Sequence, residues 1–426
     1  MKLLVNKSKI AGSVKIPGSK SHTIRALIIA GLSKGRSIIQ EALLSGDIKS
    51  CIEVLKAFGA NIEVNGTQIL VEGFGENPKI PSDVIDVGNS GTTLNIALGV
   101  AGVLNGTTIF TGDHQIRKRP IENLIRSLNE LGADCFTSRQ NGCPPVVVKG
   151  SIKGGETNLQ AITSQYLTCL LIACPLANEN SKINVPILYE APYVDMTLWW
   201  LNKQGIKYKN DGFKVFEIPG GQKYKAFNER IPGDFSSATF FATLAAISGG
   251  EIFLDNLDMT DPQGDKEVFD ILTRMGAKVW VESSGVRVKG GVLEGIEIDM
   301  NAIPDALPAM AVVGCFAKGE TKLLNVPQAR LKETDRIKVM FEELTKMGAD
   351  IEELEDGLII RQSRLKSASV NGHHDHRIVM ALAVAGMNVD GETLIDTAEA
   401  IKVTFPEFIN YARDCGGNLN ISEGQV

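Results

Sequence analysis

Six times along the chain an amphipathic helical pattern closes with an apolar residue, a three-residue gap and glycine: Leu55 to Gly59, Leu128 to Gly132, Leu201 to Gly205, Leu272 to Gly276, Leu344 to Gly348 and Ala412 to Gly416. The glycines stand 73, 73, 71, 72 and 68 residues apart, a period that marks internal repetition. Glycine suits the left-handed residue that ends a helix, and Ile337, Met340, Phe341, Leu344 and Met347 fall on one helical face. Each glycine is therefore expected to close a surface helix. β-rich runs follow, split by Asn65-Gly66, Asn141-Gly142, Asp211-Gly212, Ser284-Gly285 and Asp356-Gly357, dipeptides that favour hairpins. The sixth unit runs out after Leu419 and Ile421, and Leu3 to Val5 at the chain's beginning offer a spare strand to complete it.

Upstream in each unit lies a second helix, apolar almost all round: Ala26 to Leu32, Ile96 to Leu104, Leu167 to Ala173, Phe240 to Ile247, Met310 to Phe316 and Met380 to Ala385. A helix apolar on every side is buried on every side. Each unit reads as strand, buried helix, strand, surface helix and hairpin, a βαβαββ order of mixed α/β (α+β) class. A unit of about 70 residues cannot bury two helices alone, so the units must share cores. Two three-unit domains are expected, 18–231 and 1–17 with 232–426, joined near Ile231 to Asp234, with the chain start crossing as a second linker.

Composition narrows the picture. The chain has 426 residues, 43% hydrophobic and 22% charged, with 44 Lys plus Arg against 50 Asp plus Glu for a net charge of -6. That excludes disorder and a broadly basic nucleic-acid surface. No run approaches the ~18 apolar residues of a membrane span, and Met1 to Ile10 lacks the apolar run of a signal peptide, so a soluble cytoplasmic protein is expected. Seven cysteines with no Cys-x-x-Cys pair point to reduced, mostly buried thiols rather than a disulfide framework or structural zinc.

Unusual residues gather at the turns leading into the buried helices: Ser19, Lys20, Ser21 and Arg25; Asn89, Ser90, Gly91 and Thr92; Thr163, Ser164 and Gln165; Asp234, Ser236 and Ser237; Asp305; and Asp375, His376 and Arg377. Ser, Thr, Asn and Asp are also the ordinary N-caps of helices, so capping and anion binding compete at even odds at any one turn. The cations are harder to dismiss. Lys20, Arg119, Lys332 with Arg336, and Arg377 lie at or near predicted helix N-termini, where the macrodipole disfavours positive charge. Lys332 and Arg336 are also like charges at i,i+4. An anionic ligand is the expectation, with Glu333 and Asp335 as partial internal partners. Repulsion among these cations would hold the two domains open until an anion closes them.

The series Gly18-Ser19-Lys20-Ser21 with Arg25, Gly88-Asn89-Ser90-Gly91-Thr92, Arg117-Lys118-Arg119-Pro120, Thr163-Ser164-Gln165-Tyr166, Ile303-Pro304-Asp305-Ala306, Lys332-Glu333-Thr334-Asp335-Arg336 and Asp375-His376-Arg377 resembles the motifs of the 5-enolpyruvylshikimate-3-phosphate synthase family, in order over essentially the whole chain. The resemblance implies the enolpyruvyl transferase fold, with an active-site cleft between its two domains. It implies a monomer that needs no metal or cofactor and transfers the enolpyruvyl group of phosphoenolpyruvate to the 5-hydroxyl of shikimate 3-phosphate. By the same resemblance Lys20, Asn89, Gly91, Arg119, Gln165, Arg336, His376, Arg377 and Lys402 would hold phosphoenolpyruvate. Ser21 and Arg25 would hold the shikimate carboxylate, Thr163, Ser164 and Lys332 its 3-phosphate, and Lys20, Gln165, Tyr193, Asp305 and Gln328 would also line that substrate. Asp305 would take the hydroxyl proton, and Lys20 and Glu333 would handle protons at the enol carbon.

Several positions depart from the family pattern. Asn95 stands where an arginine is usual, Glu190 where a serine usually meets the substrate phosphate, His374 and Gln328 where asparagines are common, and Lys402 comes one residue early. A carboxylate facing a phosphate is repulsive, so Glu190 is expected to turn outward. Other readings are a transferase acting on a UDP-amino sugar or on non-phosphorylated shikimate, and an inactive anion-binding relative. A metal at His373, His374, Asp375 and His376 is disfavoured because adjacent residues seldom chelate one ion well. A nucleotide-binding P-loop fails because Ser19 replaces its second glycine.

Overall fold

The computed structural model describes residues 1–422. The buried helices are α1 (Lys20–Leu32), α3 (Gly91–Gly102), α5 (Ser164–Ala173), α7 (Phe235–Ser248), α9 (Leu307–Phe316) and α11 (His376–Gly386). Between them run the amphipathic helices α2 (Gly46–Ala57), α4 (Glu122–Glu130), α6 (Ala191–Gln204), α8 (Glu267–Met275), α10 (Arg336–Lys346) and α12 (Phe408–Asp414). Every residue of α11 is buried, as a helix without a polar face requires. In α10, Ile337, Met340 and Leu344 turn inward along the stripe that the spacing predicts. All six closing glycines adopt positive φ, from 70° at Gly205 to 111° at Gly276, the left-handed region that a Cβ disfavours.

Six four-stranded sheets form among the described residues. In the third repeat the strand before the buried helix, Gly155–Ala161, runs parallel to the one after it, Ser181–Leu188. Val215–Ile218 then adds antiparallel, and Lys209–Asp211 completes the edge. The sixth sheet borrows its hairpin partner. Lys2–Asn6 pairs antiparallel with both Glu392–Asp396 and Asn418–Ser422, so the chain's first strand fills the gap left by its last unit.

Two strands have exchanged places. Ala11–Lys15, which precedes α1, runs parallel to Glu251–Asp255 after α7. Asn228–Arg230, which precedes α7, runs parallel to Lys34–Gln40 after α1. The chain accordingly divides into two compact units, Gly18–Ile231 and Met1–Pro17 with Pro232–Val426. Each has its own apolar core, one built on α1, α3 and α5 and the other on α7, α9 and α11. Burial of a large aliphatic or aromatic side chain stabilises by about 1.5 to 3 kcal/mol, and these helices supply such side chains on every face. No helix of the described residues is long and apolar enough to cross a membrane. All seven cysteines are free thiols, and only Cys143 is not buried.

Candidate active site

Helix capping accounts for part of the polar chemistry at the turns. Side chains of Ser19, Ser90, Thr163 and Asp375 accept from backbone N–H groups in the first turns of α1, α3, α5 and α11. Asp234 and Asp305 do not cap. Asp234 Oδ2 accepts from Ser237 Oγ at 2.6 Å. Asp305 lies in the 3-10 turn Pro304–Ala306, and α9 starts after Ala306 with no side-chain cap. The ordinary reading of Asp305 as an N-cap is thus excluded.

In the unit Gly18–Ile231 the turn residues bind one another. Lys20 Nζ pairs with Asp47 Oδ2 in the first turn of α2 at 3.2 Å. Asn89 Nδ2 donates to Asp113 Oδ2 at 2.6 Å and to Gln115 Oε1 at 2.5 Å. Arg119 lies over Gly91, where a Cβ would collide with Arg119 Nη1 and make the flexible side chain shift, so glycine lets the guanidinium take this place. The Arg119-Pro120 turn is tied to α5 because Tyr166 Oη donates to the carbonyl of Pro120. Gln165 is fixed from both ends. Its Oε1 accepts from Asn95 Nδ2 at 2.7 Å and its Nε2 donates to Thr92 Oγ1 at 3.2 Å. Asn95, in place of the expected arginine, therefore acts as an uncharged brace on a substrate-binding candidate.

Arg25 is only 1% exposed. Its Nε donates to Thr197 Oγ1, Nη1 to the carbonyl of Ser21, and Nη2 to Thr168 Oγ1 and the carbonyl of Tyr193. A guanidinium has five N–H donors, and these four bonds clasp α1, α5 and α6 together. Burial pulls its pKa down to about 10.

Glu190 does not turn outward. Its carboxylate is buried, and Oε2 accepts from Thr163 Oγ1 at 3.1 Å, Ser164 N at 3.2 Å and Ser164 Oγ at 2.8 Å. The donors that the sequence assigns to a phosphate already hold an anion. Placing the carboxylate outward overlooked them: the first N–H of α5 and two hydroxyls supply it with hydrogen-bond donors in the interior.

In the other unit the cations and carboxylates form one buried network. Arg336, at the start of α10, donates from Nη1 to Asp305 Oδ1 at 2.7 Å, from Nη2 to Glu333 Oε2 at 2.6 Å and from Nε to Asp375 Oδ2 at 2.8 Å. Arg377 Nη2 meets Asp305 Oδ2 at 2.9 Å. Burial alone would lower the Arg336 pKa, but Asp375, Glu333 and Asp305 together hold it above its ordinary value. Arg336 and Arg377 are therefore not bare cations, since they share the Asp305 carboxylate. Sequence spacing could not reveal this, because Asp305, Arg336 and Asp375 meet only through packing of α9, α10 and α11.

Two further residues were missed. Asp47 gave no signal because a charged residue in a helix's first turn is ordinary. Asp265 is buried and is pushed up to about 7 by burial and then by the charge of Asp305. Gln328 Nε2 donates to the carbonyl of Asn301 at 3.0 Å. Lys332 ends the 3-10 segment Pro327–Leu331, and Lys402 is exposed on the segment Ala398–Val403. His376 is buried at the first position of α11, and Ser21 and Tyr193 are half-buried in α1 and α6. The histidine run does not converge on one ion: His373 Nε2 meets Glu343 Oε1 at 2.8 Å, His374 Nδ1 faces Glu399 at 3.7 Å, and Asp375 is bound to Arg336.

Comparison with known proteins places the chain. The profile of EPSP synthase (3-phosphoshikimate 1-carboxyvinyltransferase) matches residues 5–411. A 3-phosphoshikimate 1-carboxyvinyltransferase of Acetivibrio thermocellus is 62% identical over 99% of this chain and 100% of its own length. One from Ruminiclostridium cellulolyticum is 56% identical over 99% and 100%. Among solved structures, an EPSP synthase of Acinetobacter baumannii superposes with a TM-score of 0.85 at 28% identity, covering 99% of this chain and 100% of that one.

Proposed function

The chain belongs to the EPSP synthase family, and from that premise we propose that Asp305, Lys20 and Glu333 carry the protons of its reaction while the cations of both units hold its acidic substrates. The reaction is the shikimate-pathway transfer of the enolpyruvyl group from phosphoenolpyruvate to the 5-hydroxyl of shikimate 3-phosphate, with release of phosphate. One observation carries the residue assignment: the Asp305 carboxylate lies between Arg336 and Arg377. Two guanidinium groups favour the charged form of a carboxylate, which can take a proton once a substrate anion draws them away, and the same two cations suit a substrate bearing carboxylate and phosphate.

Asp305 takes the proton of the acceptor hydroxyl as its oxygen forms a bond to C2 of phosphoenolpyruvate, and Lys20 or Glu333 delivers a proton to C3. In the tetrahedral adduct the bond from C2 to the phosphate oxygen breaks. A proton leaves C3, the double bond re-forms, and the hydroxyl proton departs with phosphate. Holding two anions in register supplies much of the rate enhancement. For phosphoenolpyruvate the binding residues are Lys20, Asn89, Gly91, Arg119, Gln165, Arg336, His376, Arg377 and Lys402. For the acceptor they are Lys20, Ser21, Arg25, Thr163, Ser164, Gln165, Tyr193, Asp305, Gln328 and Lys332. No step calls for a metal or cofactor, and the enzyme is read as a cytoplasmic monomer of two domains, 18–231 and 1–17 with 232–426.

Phosphate release tests this reading. With phosphoenolpyruvate present, shikimate 3-phosphate should support turnover that survives EDTA, while plain shikimate and UDP-N-acetylglucosamine should not. Turnover with the sugar nucleotide alone would reject it.

A further inference from the structure

The Glu190 carboxylate is 2% exposed and sits on the N-terminus of α5, the helix whose first residues are assigned to the acceptor's phosphate. One oxygen, Oε2, draws together a backbone N–H and two hydroxyls, from Ser164 and Thr163. That is the donor set a phosphate oxygen would take. Glu190 also departs from ordinary capping behaviour. It occupies the N-cap position of its own helix α6 without making a side-chain cap bond there. Its backbone is left-handed, φ 62° and ψ 41°, a conformation uncommon for a residue with a long side chain. The turn thus holds the carboxylate against α5 rather than at the start of α6.

From this geometry we infer that Glu190 is an internal occupant of the acceptor's phosphate subsite and the residue that sets discrimination between phosphorylated and non-phosphorylated acceptors. The inference rests on the proposed roles of Thr163 and Ser164. A dianionic phosphate ester reaches those donors by displacing the carboxylate, because two anions cannot share one hydrogen-bond set at short range without strong repulsion. An acceptor without the phosphate leaves Glu190 in place and binds around it. Glu190 therefore weakens phosphate-ester binding selectively, and its removal should widen the preference for the phosphorylated acceptor.

Titration calorimetry on the whole protein with shikimate 3-phosphate, shikimate and inorganic phosphate tests this, using wild type, Glu190→Ser and Glu190→Gln. Glu190→Ser should bind shikimate 3-phosphate and inorganic phosphate about tenfold tighter or more, with shikimate affinity changed by less than about twofold. Glu190→Gln keeps the size and an accepting oxygen without the charge, so it should shift affinity in the same direction by less. Equal or weaker shikimate 3-phosphate binding in both variants overturns the inference and makes Glu190 a support for Thr163 and Ser164. Equal gains for shikimate and its phosphate also overturn it. Melting temperatures identify a variant that fails to fold, and the other variant then decides. Wild-type phosphate release from phosphoenolpyruvate and shikimate 3-phosphate is measured in parallel. Its absence rejects the assigned reaction, whereas normal turnover with unchanged variant affinities rejects only the role of Glu190.

Discussion

Arg336 and Asp305 are bound to each other, Nη1 donating to Oδ1 at 2.7 Å. A proposed cation for phosphoenolpyruvate and the proposed base are therefore one unit, and Arg377 holds the other oxygen of the same carboxylate. A substrate anion binding here as proposed would compete with Asp305 for the two guanidinium groups.

Asp305→Ala should lower turnover on the order of 10²-fold or more while leaving substrate binding measurable. Steady-state kinetics with calorimetry separates the two effects. Wild-type turnover in the variant would remove Asp305 from the proton path, whatever happened to stability.

Gly91→Ala places a methyl group where Arg119 Nη1 now lies. The flexible arginine must move, so the KM for phosphoenolpyruvate should rise by about tenfold or more, an effect of about 1.4 kcal/mol. The melting temperature should change little, since α3 accepts alanine readily. An unchanged KM would mean that Arg119 does not meet this substrate.

Arg25→Ala leaves Thr168, Thr197 and two backbone carbonyls without their donor. The expected cost is about 2 to 3 kcal/mol, read as a lower urea midpoint, because the residue clasps three helices. A variant as stable as wild type would confine Arg25 to substrate contact.

Asp265 makes stability depend on pH. Its carboxyl is pushed up to about 7 from its ordinary value of 3.8, first by burial and then by the charge of Asp305. Between those values the folded protein holds a proton that the unfolded chain has lost. Stability from this group is full below about pH 4 and is lost as pH rises through about 7. Urea midpoints measured from pH 4.5 to 8 should fall more for wild type than for Asp265→Asn. Parallel profiles would place the proton elsewhere.

Much of the architecture was legible because its causes are local and periodic. The closing glycines needed left-handed backbone, the all-apolar helices needed burial, and the spare first strand needed a partner; each requirement is written in residue type and spacing. The turn motifs likewise carried the family likeness in order. Capping, the ordinary reading of these turns, holds at Ser19, Ser90, Thr163 and Asp375.

What spacing could not supply was which charge meets which. Arg336 lies 31 residues from Asp305 and 39 from Asp375, and Glu190 lies 26 from Ser164. Those pairings exist only once buried helices are packed, when a low-dielectric surrounding makes each unpaired charge costly and selects an internal partner. The outward Glu190 came from summing charges along a chain. The sequence by itself determined the repeat, the burial of its helices and the residue types offered at each turn. The tertiary structure decided that Glu190 turns inward onto Thr163 and Ser164 and that Arg336 and Arg377 are paired with carboxylates, because such contacts are settled by distance and desolvation, which no linear pattern contains.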